Sequence, residues 1–118
     1  MVQVISWQRV GFEEVREEGA IGVQMKQLIT QREGAPNFAM RLFEVRPGGH
    51  TMTHSHDWEH EVFVLAGRGE VRTQQGPVPI AEGDAVFVPG GEMHNFANTG
   101  EEPLRFLCMI PLQQPSGR

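Results

Sequence analysis

The chain has 118 residues, 39% of them hydrophobic, with one cysteine and a formal charge of −5 at neutral pH. That is long enough for a single domain with its own core, and too acidic for a grip on a phosphate backbone. Lone Cys108 cannot close an intramolecular disulfide and no run approaches the roughly 18 apolar residues of a bilayer span, so a cytoplasmic protein partnered by neither nucleic acid nor membrane is expected.

The first residues, MVQVISWQRVGFEE, lack a basic stretch followed by a long apolar one, so no signal peptide is expected there. The acidic stretch 11–18 is the one place where a helical turn is suggested. From there on, short apolar runs alternate with Gly and Pro punctuation. VQMKQLIT (23–30) and NFAMRLFEV (37–45) read as strands, with a turn at Glu33–Pro36 between them and another at Pro47-Gly48-Gly49. EVFVLAG (61–67), GEVRT (69–73), DAVFVP (84–89), HNFAN (94–98) and LRFLCMI (104–110) follow, separated by turn signals such as Gly76-Pro77, Glu82-Gly83-Asp84 and Pro89-Gly90-Gly91. This pattern predicts an all-β antiparallel sandwich or barrel. Residues 113–118 read as a flexible tail.

Several strands are apolar on both faces. Val62, Val64 and Ala66 alternate with Phe63 and Leu65, while Phe106, Cys108 and Ile110 alternate with Leu107 and Met109. A monomeric sandwich needs one buried face per strand, so something covers the second. A homodimer is the expectation, with segment 1–22 a candidate for the contact; coverage by the chain's own termini is the alternative.

Four of the five histidines fall within residues 50–60. Strand parity puts His54 and His56 on one side, a natural start for a metal site. A straight strand would carry His60 about 13 Å beyond His56 at ~3.3 Å per residue, too far for metal–nitrogen bonds of about 2 Å. His60 joins them only if Asp57-Trp58-Glu59 turns the chain onto a neighbouring strand. His50 fails the same test and reads as a surface or strand-start residue.

The stretch Gly48-(five residues)-His54-Ser55-His56-(three residues)-His60-(six residues)-Gly67 resembles the first cupin motif with one change. Gly83-(five residues)-Pro89-Gly90-Gly91-(two residues)-His94-(three residues)-Asn98 matches the second, after a gap of 15 residues. The resemblance extends over about 23–112 and implies a cupin-type double-stranded β-helix, a jelly-roll barrel. It is similar to the small manganese-type cupins with four histidine ligands, which implies His54, His56, His60 and His94 as metal ligands. The change is His60, where a glutamate is usual. Glu61 is the alternative ligand, but it leaves one residue too few before Gly67, and parity sends it to the opposite face.

One divalent transition metal per chain is therefore expected: Mn by resemblance, with Fe, Ni, Cu or Zn compatible with imidazole ligands. Phe106, Cys108 and Ile110 form one inward-facing set for the pocket. On 37–45, either Arg41 with Phe43 or Met40 with Leu42 faces in; an inward Arg41 is a candidate anchor for an anionic or oxygen-rich ligand. Trp58 belongs to the entrance or the subunit contact, and Asn98 to a structural turn. The functional expectation is a metal-dependent oxidoreductase, of dioxygenase or peroxide-using type, acting on a small organic molecule. A non-catalytic ligand- or metal-sensing module is the alternative. A sugar isomerase-like reaction ranks third, because few polar residues are present to hold a sugar.

Overall fold

A computed structural model describes residues 1–112; the expected tail at 113–118 lies outside the described residues. Nine strands follow in order: β1 (Glu13–Glu14), β2 (Ile21–Ile29), β3 (Phe38–His50), β4 (His60–Ala66), β5 (Arg68–Thr73), β6 (Gly76–Ala81), β7 (Ala85–Val88), β8 (His94–Asn98) and β9 (Leu104–Pro111). All pairings are antiparallel, in the order β6-β5-β8-β3-β9-β4-β7, with β2 also on β3 and β1 on β2. The sheet curls on itself, so that Val71, Ile80 and Phe96 from one end meet Val23, Val45, Val64, Leu104 and Phe106 from the other in one core. This is the expected all-β jelly-roll barrel, and a single domain. No helix of the described residues is long and apolar enough to cross a membrane.

Three local expectations need correction. The stretch 11–18 holds no helical turn: Glu13 and Glu14 form β1, paired with Met25 and Gln24 of β2. Sheet pairing overrides a weak local helix signal in so short a segment. Pro47-Gly48-Gly49 does not end a strand either, for β3 runs through it to His50. Opposite this stretch the register slips between Ile21/His50 and Val23/Val45, a bulge in which Gly48 takes φ 81°. A Cβ on Gly49 would collide with the Ile21 carbonyl oxygen, so the bend needs glycine there. The third correction adds β6, whose Pro77 and Pro79 argue against a strand; it lies at the end of the pairing order, where an edge strand tolerates proline.

Beyond the bend, His50 pairs with Ala97 of β8, whereas Phe38–Val45 pair with β9. One strand thereby spans both halves of the barrel. In β4, His60, Val62 and Val64 are buried while Glu61, Phe63 and Leu65 face out. Phe63, Leu65 and Phe87 are 45%, 41% and 62% exposed, enough to leave an apolar band across β4 and β7.

The outer face of β2 and β3 is covered differently. Buried Lys26 donates from Nζ to the Trp7 carbonyl at 2.7 Å and sits 4.6 Å and 4.5 Å from the Trp7 and Phe12 ring centres. Beside it Leu42 is buried, and Arg105 bonds Glu44 at 2.6 Å. The N-terminal segment thus serves as cover for that part of the sheet.

Candidate metal centre

His54 follows β3 and faces His94, the first residue of β8. The two exchange backbone hydrogen bonds, His54 N–H to His94 O at 3.1 Å and His94 N–H to His54 O at 3.0 Å. The chain bends at Asp57 and Trp58 and enters β4 at His60. The expected turn therefore exists and returns His60 to its neighbours. Two glycines make the bend possible. Gly91 N–H donates to the His56 carbonyl, and a Cβ on Gly90 would strike the Asp57 carbonyl oxygen. The loop Pro89-Gly90-Gly91 thus presses against 56–58 and sets His94 beside the first three histidines.

The four rings converge. Centroid separations are 4.2 Å for His54–His56, 5.1 Å for His56–His60, 4.9 Å for His54–His94 and 5.2 Å for His60–His94. One nitrogen each from His54, His56 and His60 lies within 4.8 Å of the others. His94 stands next to this trio and outside that distance. Trp58, 8% exposed, stacks on His56 at 4.3 Å with planes 7° apart, and so holds that ring from behind.

The hydrogen bonds settle which ring nitrogens face inward. Nδ1 of His94 lies 2.9 Å from the Glu92 carbonyl, which can only accept, so Nδ1 carries the proton and Nε2 a bare lone pair. Nδ1 of His60 lies 3.2 Å from Cys108 Sγ, leaving its Nε2 inward. Nε2 of His60, Nε2 of His94 and Nδ1 of His54 are all buried without a protein partner. Buried nitrogens left unpartnered on three neighbouring rings are costly, and a ligand among those rings would relieve the ones that face it. Two nitrogens on one ion lie at most about 4.2 Å apart for bonds of ~2.1 Å, so the nitrogens of His54, His56 and His60, within 4.8 Å of one another, need only a small contraction to share one. The donor set fits a transition metal.

Electrostatics agree with a set of neutral donors. Burial, then repulsion from His56, His94 and Arg41, lowers the pKa of His54 to about 4. Burial, then repulsion from His94, Arg41 and the other two rings, lowers that of His60 to about 3. Burial pushes the Cys108 thiol up, with nearby Arg41 opposing.

The histidines line a cavity of about 280 Å³. Phe106, Cys108 and Ile110 line it, as expected from parity, and of the two sets on β3 it is Arg41 and Phe43 that face in. His50 stays at the end of β3, bonding its neighbour's carbonyl at 3.1 Å, away from the cluster. Glu61 is exposed on the outer face, paired with Phe87 and Met109. Asn98 is buried, and its amide donates to the carbonyls of Val45 and Glu102, both at 2.8 Å, while its oxygen accepts from Gly100 N–H at 2.8 Å. Phe96 also lines the cavity, a position that parity from His94 predicts on β8. Val15 and Glu17 reach it too, and no local signal announces them, because they arrive through the long-range pairing of β1 on β2.

Comparison with known proteins places this architecture. The model of the cupin domain matches residues 41–110. The chain is 33% identical over 106 residues to 1-methylthio-D-xylulose 5-phosphate methylsulfurylase of Rhodospirillum rubrum, covering 88% of this chain and 67% of that protein. It is 37% identical over 94 residues to the oxalate-binding protein of Thermotoga maritima, covering 76% of each. Among solved structures, the polyketide cyclase RemF from Streptomyces resistomycificus superposes with a TM-score of 0.91 at 37% identity, over 98% of this chain and 82% of that one.

Proposed function

The chain belongs to the cupin-domain family, and from that membership we propose that it is a metal-dependent enzyme acting on a small organic molecule, holding one divalent transition metal through His54, His56, His60 and His94. The observation that carries the reading is the meeting of four histidine rings on one cavity, with nitrogens of His54, His56 and His60 within 4.8 Å of one another. Manganese is the metal that the four-histidine resemblance favours, and an all-imidazole set also accommodates Fe, Ni, Cu or Zn.

The reaction class best supported is ring closure of a carbonyl-rich chain. Two features support it: the likeness to a polyketide cyclase over nearly the whole chain, and a donor set that brings no negative charge. Four neutral ligands leave the full charge of a dication, which when bound supplies Lewis acidity toward a carbonyl oxygen. The protein's own residues do the rest. Phe43, Phe96 and Phe106 give flat apolar surfaces that exclude water and hold a folded substrate, with Phe43 and Phe106 stacked at 5.4 Å. His94 and His60 are held by the Glu92 carbonyl and Cys108, so the orientation of each ring is set before binding.

An oxidoreductase using dioxygen or peroxide is the second reading, supported by the same aromatic lining, into which dioxygen, the apolar one of the two oxidants, partitions readily. Metal analysis of the purified chain followed by turnover of a poly-β-ketone model compound, with oxygen uptake recorded, separates the two. Cyclised product without oxygen uptake supports the first reading, and uptake coupled to turnover supports the second. A chain that retains all four histidines and binds no transition metal refutes both. We further propose a homodimer formed through the exposed band of Phe63, Leu65 and Phe87.

A further inference from the structure

We infer that Arg41 is the ligand anchor of the histidine pocket, and that the pocket takes a small, flat organic anion whose carboxylate or enolate oxygens sit on the guanidinium. The inference rests on the proposal that this cavity is the ligand site. Arg41 stands on β3 directly opposite Cys108 on β9. Its Nη2 donates to Cys108 Sγ at 3.3 Å, and its guanidinium lies 4.9 Å from the Phe43 ring centre. Nε is buried with no hydrogen-bond partner. Among the described residues, no carboxylate lies within ion-pair distance of this side chain.

A thiol and an aromatic face are weak partners for a group with five N–H donors and a full charge. A half-buried cation with an unpartnered buried N–H and no carboxylate in ion-pair distance is favoured by an anion that reaches it. The surrounding imidazoles cannot supply it, since an imidazole is neutral or cationic, and Glu17, the carboxylate that lines the cavity, is not within ion-pair distance. The fork geometry selects two oxygens in one plane, which a carboxylate or the enolate of a β-dicarbonyl presents. Stacked Phe43 and Phe106 favour a flat body behind that head group. Arg41 and Ile110 also line a second cavity of about 500 Å³.

The test uses metal-free protein and two matched pairs of probes: benzoate against neutral benzamide, and tropolonate against neutral tropone, titrated at about pH 8 by NMR. In the unmodified chain the anion of at least one pair is expected to bind about tenfold or more tighter than its neutral partner; the pair that discriminates identifies the head group. Arg41→Gln should abolish that preference, and Arg41→Lys should keep part of it. Equal binding of anion and neutral partner in both pairs, binding of none of the four, or a preference that survives in Arg41→Gln overturns the inference. The first two of these results need no variant to fold. Metal content of the same preparations is measured separately, so failure of the metal centre and failure of the anchor are distinguished.

Discussion

Replacing His60 with alanine tests the metal centre at the position where this chain departs from the common cupin motif. His60 is 6% exposed, and its Nε2 is one of the three orphaned nitrogens, whereas Glu61 lies on the opposite face of β4. In the metal-free protein the substitution should lower stability by about 1–2 kcal/mol. Loss of packing, about 2–5 kcal/mol for a large buried side chain, is partly offset by relief of an unsatisfied buried nitrogen, about 1–3 kcal/mol. With metal the outcome differs. Outer-shell changes alone weaken binding by roughly 10–100-fold, so loss of one of four donors should cost about 100-fold or more. That equals about 2.7 kcal/mol of the stabilisation by excess metal, and roughly 10 °C of metal-induced melting shift for a domain of this size. Glu61→Gln should leave both metal content and melting shift unchanged. His60→Glu should retain metal and shift preference toward harder ions. The assay is metal analysis with melting curves at several metal concentrations, supported by X-ray absorption at the metal edge. If Glu61→Gln loses its metal and His60→Ala keeps a four-nitrogen shell, the donor assignment is wrong.

Asn98→Ala removes three hydrogen bonds of about 1 kcal/mol each and should lower the melting temperature by roughly 10 °C without changing metal stoichiometry; a shift below about 2 °C would contradict that role. The metal-free protein should lose stability on acidification. His54 and His60 are held near 4 and 3 in the fold, against the ordinary value of 6.5, so the unfolded chain binds more protons within that window. Their contribution is fully present above about pH 6.5 and fades as pH falls toward the folded values. A His54→Asn/His60→Gln double variant should show a flatter pH profile, and one as steep as the unmodified chain would rule out this source. Sedimentation at micromolar concentration should show a dimer that Phe63→Glu dissociates, and a monomer before substitution would sink the proposal.

What is legible in the sequence, and what is hidden, divides along physical lines. Strand parity is local, so residue order alone aims His60, Phe106, Cys108 and Ile110 inward. The motif spacing carries the turn at Asp57–Glu59, because a bend there is the only way to bring His60 back. Parity cannot choose between Arg41/Phe43 and Met40/Leu42, since both sets mix apolar and polar or flexible groups. The N-terminal cover favours one choice: Trp7 and Phe12 cap Lys26, the cross-strand partner of Leu42, on the outside, and Arg41 is left on the cavity side. The bulge at Gly48-Gly49 is hidden for a related reason, as a Pro-Gly-Gly run has the same composition whether it ends a strand or bends one. Val15 and Glu17 give no signal at all, for their place depends on a pairing that brings distant parts of the chain together.

Both faces of β4 and β9 matter for the site, and this alternation links the proposals. Inward, β4 carries His60 and β9 carries Cys108, which fixes the His60 ring. Outward, the same strands carry Phe63, Leu65, Leu107 and Met109, joined across the β4/β9 register at Phe63↔Leu107 and Glu61↔Met109. The N-terminal segment covers the sheet around Lys26 and beside Arg105, while Phe63, Leu65 and Phe87 stay exposed, so the band from Phe63 to Phe87 is what a second copy would cover. A strand that is packed on both faces holds its side chains more firmly than one packed on one. Covering the outer face therefore restrains the backbone that aims His60, and metal binding and self-association should favour each other by the same factor.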